Sequence, residues 1–343
     1  MFVLTYRPLT TKTTWKIFEN YSVGKNSDIS IIRLPWIPGL FYKLVTHPLL
    51  EFIYLFPGLF FTAPFVILRN DVDVIHGHGL IAGLVAVIWG NIFHKRVIVS
   101  THSIYHFPQK SNYTNLSKWI FSHAKVVLAL SKQATEEIHS LGVPKDKIKT
   151  FTYWIDLDRF VHIKNAKEKA KLKKNFTVLF VGRLVPEKGI RELLEASLLW
   201  KKKITLLVIG TGPLEDEVKE KATQRENIVY VGKVSQEQLP LYFSAADVFI
   251  IPSTHEEGYG RVILEALACG TPVIGSNRGA ISEAMDTSVG FFISATPESI
   301  KRTVETCFTH PKTLQDRARH TRSFVEKRAS EKNANIIVES YQS

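Results

Sequence analysis

A chain of 343 residues is long enough for two domains of ordinary size, each with its own core. Its 45% apolar and 22% charged residues are normal for a soluble globular protein, and two cysteines exclude a disulfide scaffold and a cysteine metal site. The net charge of +12 suits anionic partners such as nucleotides, nucleic acid or acidic lipid. Met1 leads at once into an apolar strand without a basic leader or cleavage site, so a reducing, cytoplasmic setting is expected.

In chain order, Phe2–Thr5 and Asp28–Leu34 read as short strands. Leu49–Leu68 has the length of a membrane span but is interrupted by Glu51, Pro57-Gly58 and Pro64. It is read first as a partly buried helical pair, next as a membrane-surface patch and last as a true span. Asp71–His76 is a strand ending at Gly77-His78-Gly79 before an apolar helix over Leu80–Phe93; Arg96–His102 and Lys125–Ser131 follow as strands, and Ile148–Tyr153 closes the set. Strands alternating with helices predict a doubly wound α/β domain over residues 1–163. The basic stretch 164–175 offers little to bury and reads as a linker. A second alternating series fills 176–315, with strands at Phe176–Val181, Ile204–Ile209 and Ile228–Val231. A basic helical tail, 316–343, is expected to pack back towards the first domain. Two similar sheets with a cleft between them are the natural frame for a site.

The most informative stretch is Ser253–Gly270, preceded by the strand Asp247–Ile251 and followed by Thr271–Gly275. Strand, glycine-containing loop, helix and strand make a βαβ unit, and ligands bind at the carboxyl ends of such strands. Gly258 and Gly260 let the backbone approach a ligand, and amides near a helix N-terminus favour an anion. Glu257 and Glu265 lie eight residues apart and suit the hydroxyls of a sugar or ribose attached to that anion. Taken singly, either glutamate reads more readily as a bland residue than a functional one, Glu257 complementing the helix dipole and Glu265 solvated at the surface. Together with the loop they point to a nucleotide-sugar site.

The second half resembles glycosyltransferase family 4, the retaining, nucleotide-sugar-dependent enzymes of the GT-B fold. The resemblance rests on Val181-Gly182-Arg183-Leu184 with Lys188-Gly189, on Gly210-Thr211-Gly212-Pro213, on the Glu-x7-Glu pair Glu257 and Glu265 around Gly258-Tyr259-Gly260, and on Asn277–Glu283. The first half matches more loosely through Asp73–His78, Ser100-Thr101-His102 and Asp156–Phe160. The resemblance implies two Rossmann-like domains facing across a cleft, and a UDP- or GDP-sugar donor. Arg183 and Lys188 would bind the diphosphate, which agrees with the charge that builds on a phosphate leaving group. Glu265 would accept the ribose hydroxyls and Glu257 a hydroxyl of the transferred sugar. Amides around Gly258, Tyr259 and Gly260, together with Gly182, would meet donor oxygens, and backbone near Lys233 would read the base. Gly210 and Gly212 would allow close packing at the rim or equally form a plain turn, and His102 would lie near the transferred sugar. His76 and His78 are weaker candidates.

No essential metal is expected: the His-x-His pair has no carboxylate or cysteine at ligand spacing, and the Asp71/Asp73 and Asp156/Asp158 pairs sit at the wrong places. Attack from the leaving-group face, with retention, is implied by the resemblance rather than by any second carboxylate. The acceptor is expected to be a glycan or a lipid-linked glycan, with peripheral contact at an acidic membrane surface. Nucleic acid is not expected, because aromatic residues are not interleaved with the basic runs. The resemblance also implies that the family's first strand, glycine-rich loop and helix are missing ahead of Phe2; a truncated chain is the first reading, a partner filling the gap and a shift of Phe2–Thr5 into the vacant place being the others. That leaves a non-catalytic nucleotide-sugar-binding relative, or another GT-B enzyme such as a sugar-nucleotide epimerase, as alternatives.

Overall fold

The computed structural model describes residues 1–8, 18–22, 28–36, 48–102, 104–201 and 203–342. The chain divides into two compact units, one of 1–129, 135–150 and 338–343, the other of 130–134 and 151–337.

The first unit contains two sheets. In one, β1 (Phe2–Pro8) runs parallel to β3 (Asp28–Trp36), with Phe2 opposite Ser30, and β2 (Phe18–Ser22) pairs antiparallel on the far side of β3. After α1 (Pro48–Arg69) comes the second sheet. It holds β4 (Val74–His78), β5 (Arg96–Ser100), β6 (Val126–Ala129) and β7 (Ile148–Thr150) in that order, all parallel. The connecting helices are α2 (Gly79–Ile92), α3 (Asn112–His123) and α4 (Lys132–Ser140). Strands β5 and β6 are almost wholly buried, as parallel strands covered on both faces must be.

The expected helical pair is instead one 22-residue helix, α1, with Pro57 and Pro64 inside it. The strand β1 explains how it stays continuous. The Tyr6 hydroxyl donates to the Leu55 carbonyl and accepts from the Leu59 amide at 3.2 Å. One side chain thus bridges a donor and an acceptor that a regular helix would pair directly, at the turn where Pro57 removes an N–H. Burial raises the Tyr6 pKa, although the Leu59 amide opposes it. Gly58 leaves room for the ring, since a Cβ there would lie 2.5 Å from the hydroxyl. Glycine to alanine within a helix ordinarily gains about 0.5–1 kcal/mol. Here Gly58→Ala is expected to cost about 1–3 kcal/mol in urea unfolding, because the tyrosine must move; a gain would contradict the bridge.

The second unit is built on one six-stranded parallel sheet. Its elements in chain order are α5 (Ala166–Lys169), β8 (Phe176–Val181), α6 (Ile190–Leu198), β9 (Ile204–Ile209), α7 (Glu215–Gln224) and β10 (Ile228–Gly232). Then follow α8 (Leu239–Ala245), β11 (Val248–Ile251), α9 (Arg261–Ala268), β12 (Val273–Ser276), α10 (Ile281–Ala284) and β13 (Gly290–Ile293). The helices α11 (Pro297–Thr309), α12 (Pro311–Arg328) and α13 (Asn335–Gln342) end the chain. Central strands such as Ile204–Ile209 are buried at every residue, and Leu193, Ile300 and Val304 pack the same core.

The stretch 164–175, read above as a linker, is folded onto this unit. Ala166 is buried, and Lys167 reaches the Asn175 carbonyl at 2.9 Å and Asp247 at 2.5 Å. Composition missed it because one short apolar contact and two lysine bonds leave no periodic signature. The boundary likewise falls at Thr150 rather than 163. Arg322 of α12 donates to the carbonyls of Leu157 and Phe160, at 3.2 and 2.8 Å, which ties that segment to the second unit. Of the tail from 316, only Val338–Ser343 falls in the first unit. There Ser340 accepts from Arg96 at 3.0 Å, and the Tyr341 hydroxyl lies 2.8 Å from His76.

Candidate active site

The strand order β10-β9-β8-β11-β12-β13 reverses between β8 and β11. In a parallel sheet the loops leaving two such strands turn to opposite faces and open a crevice at their carboxyl ends. Those two loops carry the candidates. The loop after β8, Gly182–Gly189, and the loop after β11, Pro252–Gly260, are in contact. The Glu187 carbonyl accepts from the Thr254 amide at 3.0 Å, and a Cβ on Gly189 would lie 1.9 Å from the Pro252 oxygen.

Across this contact Lys188 and Glu257, 69 residues apart, form an ion pair. The ammonium lies 2.6 and 2.7 Å from the two carboxylate oxygens, and the Ser253 hydroxyl donates to one of them. Both side chains are mostly buried, at 25% and 13% exposure, which gives the pair more weight than a surface pair. Behind Glu257, the Ala280 amide donates to its carbonyl at 2.9 Å, and Gly279, with φ +55°, leaves space for that approach. The Asn277–Glu283 loop is therefore a support for Glu257. Arg183, in the same loop as Lys188, is exposed.

Glu265 sits one helix away. It is 4% exposed on α9, 3.2 Å from Arg261 one turn earlier. Burial pushes its carboxyl up to about 7, against the pull of Arg261. A carboxyl whose folded pKa exceeds its unfolded value binds its proton more tightly when folded. Its stabilising share is therefore full below pH about 4.5 and is lost as pH rises through about 7. Glu265→Gln removes that dependence. The variant's stability relative to the parent is expected to be higher at pH 8 than at pH 5, by about 2–3 kcal/mol. Equal differences at the two pH values in urea unfolding would refute it.

The glycines separate into kinds. Gly210 (φ +137°) lies against Gly182, so closely that a Cβ on it would fall 1.8 Å from the Gly182 oxygen, and Gly212 lies against Leu184. They hold the β8 and β9 loops in contact. Gly182 meets only the Phe180 ring, at 3.4 Å. Gly260 caps α9 in the left-handed region, at φ +71°, beside Gly258 and Tyr259. The Tyr259 ring turns inward, edge-on to Tyr153, and burial raises its hydroxyl to about 12, so its amide is the part left to a ligand. Lys233 is exposed just past β10, where Gly232 accepts from the Gly210 amide at 2.9 Å.

His102 belongs to the first unit and sits in a histidine cluster. Its Nε2 lies 3.0 Å from His78 Nδ1, and Ser100 Oγ is 3.0 Å from both. His76 stacks on His78 at 4.1 Å. Burial lowers all three pKa values, His76 to about 3 and His102 to about 4, so the imidazoles are neutral at pH 7. Neutral His102 can accept or donate one hydrogen bond but supplies no charge.

Sequence reasoning missed Ser253 and Arg261. Each lies four residues from its glutamate, a spacing that a search for helical ion pairs would have found for Arg261.

Residues 162–324 match the family described as glycosyl transferases group 1, and residues 30–159 match glycosyltransferase family 4. The chain belongs to the family 4 glycosyltransferases. It is 30% identical to an uncharacterised glycosyltransferase of Methanocaldococcus jannaschii over 63% of this chain and 60% of that one. It is 29% identical to the GDP-mannose-dependent alpha-(1-6)-phosphatidylinositol monomannoside mannosyltransferase of Mycolicibacterium smegmatis, over 52% and 51%. The chain thus spans between half and two thirds of the length of these relatives. The Anabaena protein HepE, solved in complex with UDP, superposes with a TM-score of 0.75 at 20% identity, over 91% of this chain and 86% of that one. That likeness establishes the fold, GT-B with two Rossmann-like domains.

Proposed function

We propose that this family 4 glycosyltransferase moves a sugar from a nucleoside-diphosphate sugar to a glycan or lipid-linked acceptor, with retention at the anomeric carbon. The observation that carries the reading is the Lys188–Glu257 pair at the sheet's switch point, between two glycine loops. In this reading the leaving diphosphate takes Lys188, Arg183 and the amides of Gly182 and Gly258–Gly260. Lys188 moves from sharing its charge with Glu257 to sharing it with phosphate, and Glu257 turns to a sugar hydroxyl. Those interactions grow as charge develops on the leaving oxygen, which is the requirement for lowering a barrier. Glu265 takes the ribose hydroxyls, and backbone beside Lys233 takes the base. His102, neutral, accepts from a hydroxyl of the transferred sugar. No metal is required in this scheme.

Support for a nucleotide donor comes from HepE, which binds UDP, and support for a lipid-borne acceptor from the mannosyltransferase of M. smegmatis. The family match disfavours the epimerase and non-catalytic readings. Helix α1 is long and apolar enough to cross a membrane, and Ile53, Phe61, Phe65 and Leu68 are exposed at helical spacing along it. We place that stripe on the cytoplasmic face of an acidic membrane, where a lipid-linked acceptor would be met. A thermal-shift panel of uridine, guanosine and adenosine diphosphates and their sugars tests the donor, and flotation with anionic vesicles tests the membrane. Failure of every nucleotide to bind at millimolar concentration overturns the first, and recovery in the soluble fraction at low salt overturns the second.

A further inference from the structure

The amino ends of three neighbouring strands in the first unit carry a run of cations. Lys95 precedes β5 and Arg96 begins it, Lys125 precedes β6, and Lys147 precedes β7. The parallel register sets them side by side. The Lys125 amide donates to the Val97 carbonyl at 2.9 Å, and Val127 stands opposite Ile148. These residues line a cavity of about 410 Å³, as do His94 and His123. Among the described residues no acid lines it. It lies at the end of the sheet away from His78 and Ser100, which finish β4 and β5.

Part of this charge has a structural use. Helices α2 and α3 end here, and cations complement the carboxyl ends of helices. Lys147 donates to the carbonyls of Ser122 and Ala124, at 2.7 and 3.4 Å. Arg96 donates to that of Ser340 at 3.0 Å, and His123 Nδ1 to that of Trp119 at 2.8 Å. The rest is surplus. Among the described residues the Lys125 ammonium has no hydrogen bond or ion pair, and Lys95 has a fully exposed carboxylate, Asp71, 4.0 Å away. The end of α2 adds a second sign. The Lys95 amide donates to the Gly90 carbonyl at 2.8 Å and the His94 amide to that of Asn91 at 3.4 Å. That is the Schellman ending, whose left-handed residue is ordinarily glycine. Here it is His94, at φ +51°, so a side chain lines the cavity at a position where the backbone alone would favour none.

Like charges crowded into one hollow repel, and a multiply charged anion relieves several of them at once. The volume suits a small molecule. Apart from buried Val97 and Ala124 the lining is polar or charged, which gives an acyl chain nothing to lie against. Lysines meet phosphate as point charges. We propose that this cavity binds a small, soluble compound bearing two or more phosphate groups. It belongs to the first unit, whereas Lys188 and Glu257 belong to the second. This inference does not rest on the proposed transfer activity and would survive its failure.

The probe is inorganic pyrophosphate, added to the full chain while lysines are acetylated by a water-soluble ester and read peptide by peptide in a mass spectrometer. At saturation, acetylation of Lys95 and Lys125 is expected to slow about tenfold, with exposed Lys110 unchanged. Lys188→Met removes a cation from the candidate active site, and protection of Lys95 and Lys125 is expected to persist in it. Lys125→Glu, at an exposed position, is expected to leave urea unfolding unchanged and to raise the pyrophosphate concentration that protects Lys95 by about tenfold or more. The proposal is overturned if pyrophosphate protects neither lysine, or if sodium chloride at equal ionic strength protects as well. Loss of protection in Lys188→Met, or undiminished protection of Lys95 in Lys125→Glu, would overturn it too. Protection by phosphatidate vesicles but not by pyrophosphate would mark a membrane headgroup site and would equally refute it.

Discussion

Replacing Lys188 by methionine is expected to lower glycosyl transfer about 10²- to 10³-fold, the usual cost of removing one fixed group that meets developing negative charge. The structure adds a qualification that charge alone does not give. Lys188 is held by both oxygens of Glu257, so the two residues are expected to behave as a unit. Glu257→Gln should abolish transfer, since the sugar loses its acceptor, yet should leave nucleoside-diphosphate affinity intact or tighter, since the ammonium is released to phosphate. The double variant should then cost less than the product of the single losses. Turnover with a radiolabelled donor, and titration with the nucleoside diphosphate alone, separate the two roles. If Glu257→Gln weakens the diphosphate tenfold, the pair binds nucleotide jointly and the assignment of Glu257 to the sugar is wrong.

Gly210→Ala is expected to have the largest effect on the fold, a loss of about 3–5 kcal/mol. Its Cβ would fall 1.8 Å from the Gly182 oxygen, which belongs to backbone and cannot swing away, and its φ of +137° is hostile to any side chain. Gly182→Ala is the control. A methyl there meets only the Phe180 ring at 3.4 Å, at a φ outside the left-handed region, so stability should change by less than about 1 kcal/mol. If Gly182→Ala then weakens nucleotide binding without unfolding, Gly182 is needed for close approach of the donor. Urea unfolding of the two variants side by side decides it; equal losses would refute the distinction between them.

Much of the second unit could be read from its residues because buried parallel strands announce themselves as apolar runs and their loops as glycine clusters. Phe176–Val181, Ile204–Ile209 and the unit around Glu257 were visible for that reason. The Lys188–Glu257 bond was not, because nothing in local spacing links residues 69 apart. The basic stretch 164–175 misled by composition, its few anchoring contacts being tertiary. The prolines of α1 misled for a similar reason: the group that repairs the helix lies 49 residues upstream, in Tyr6. The burial of Glu265, and with it the rise of its pKa to about 7, depends on the packing around α9, which the surface reading of a lone glutamate does not contain.

The tyrosine bridge has a consequence for how the first unit assembles. The turn at Leu55–Leu59 borrows its missing link from a strand upstream, Tyr6 lying 49 residues from Leu55, so the long helix cannot mature as an autonomous piece. Its middle should stay open to proteases until the strand that carries Tyr6 has docked, and cleavage there would serve as a clock for that event.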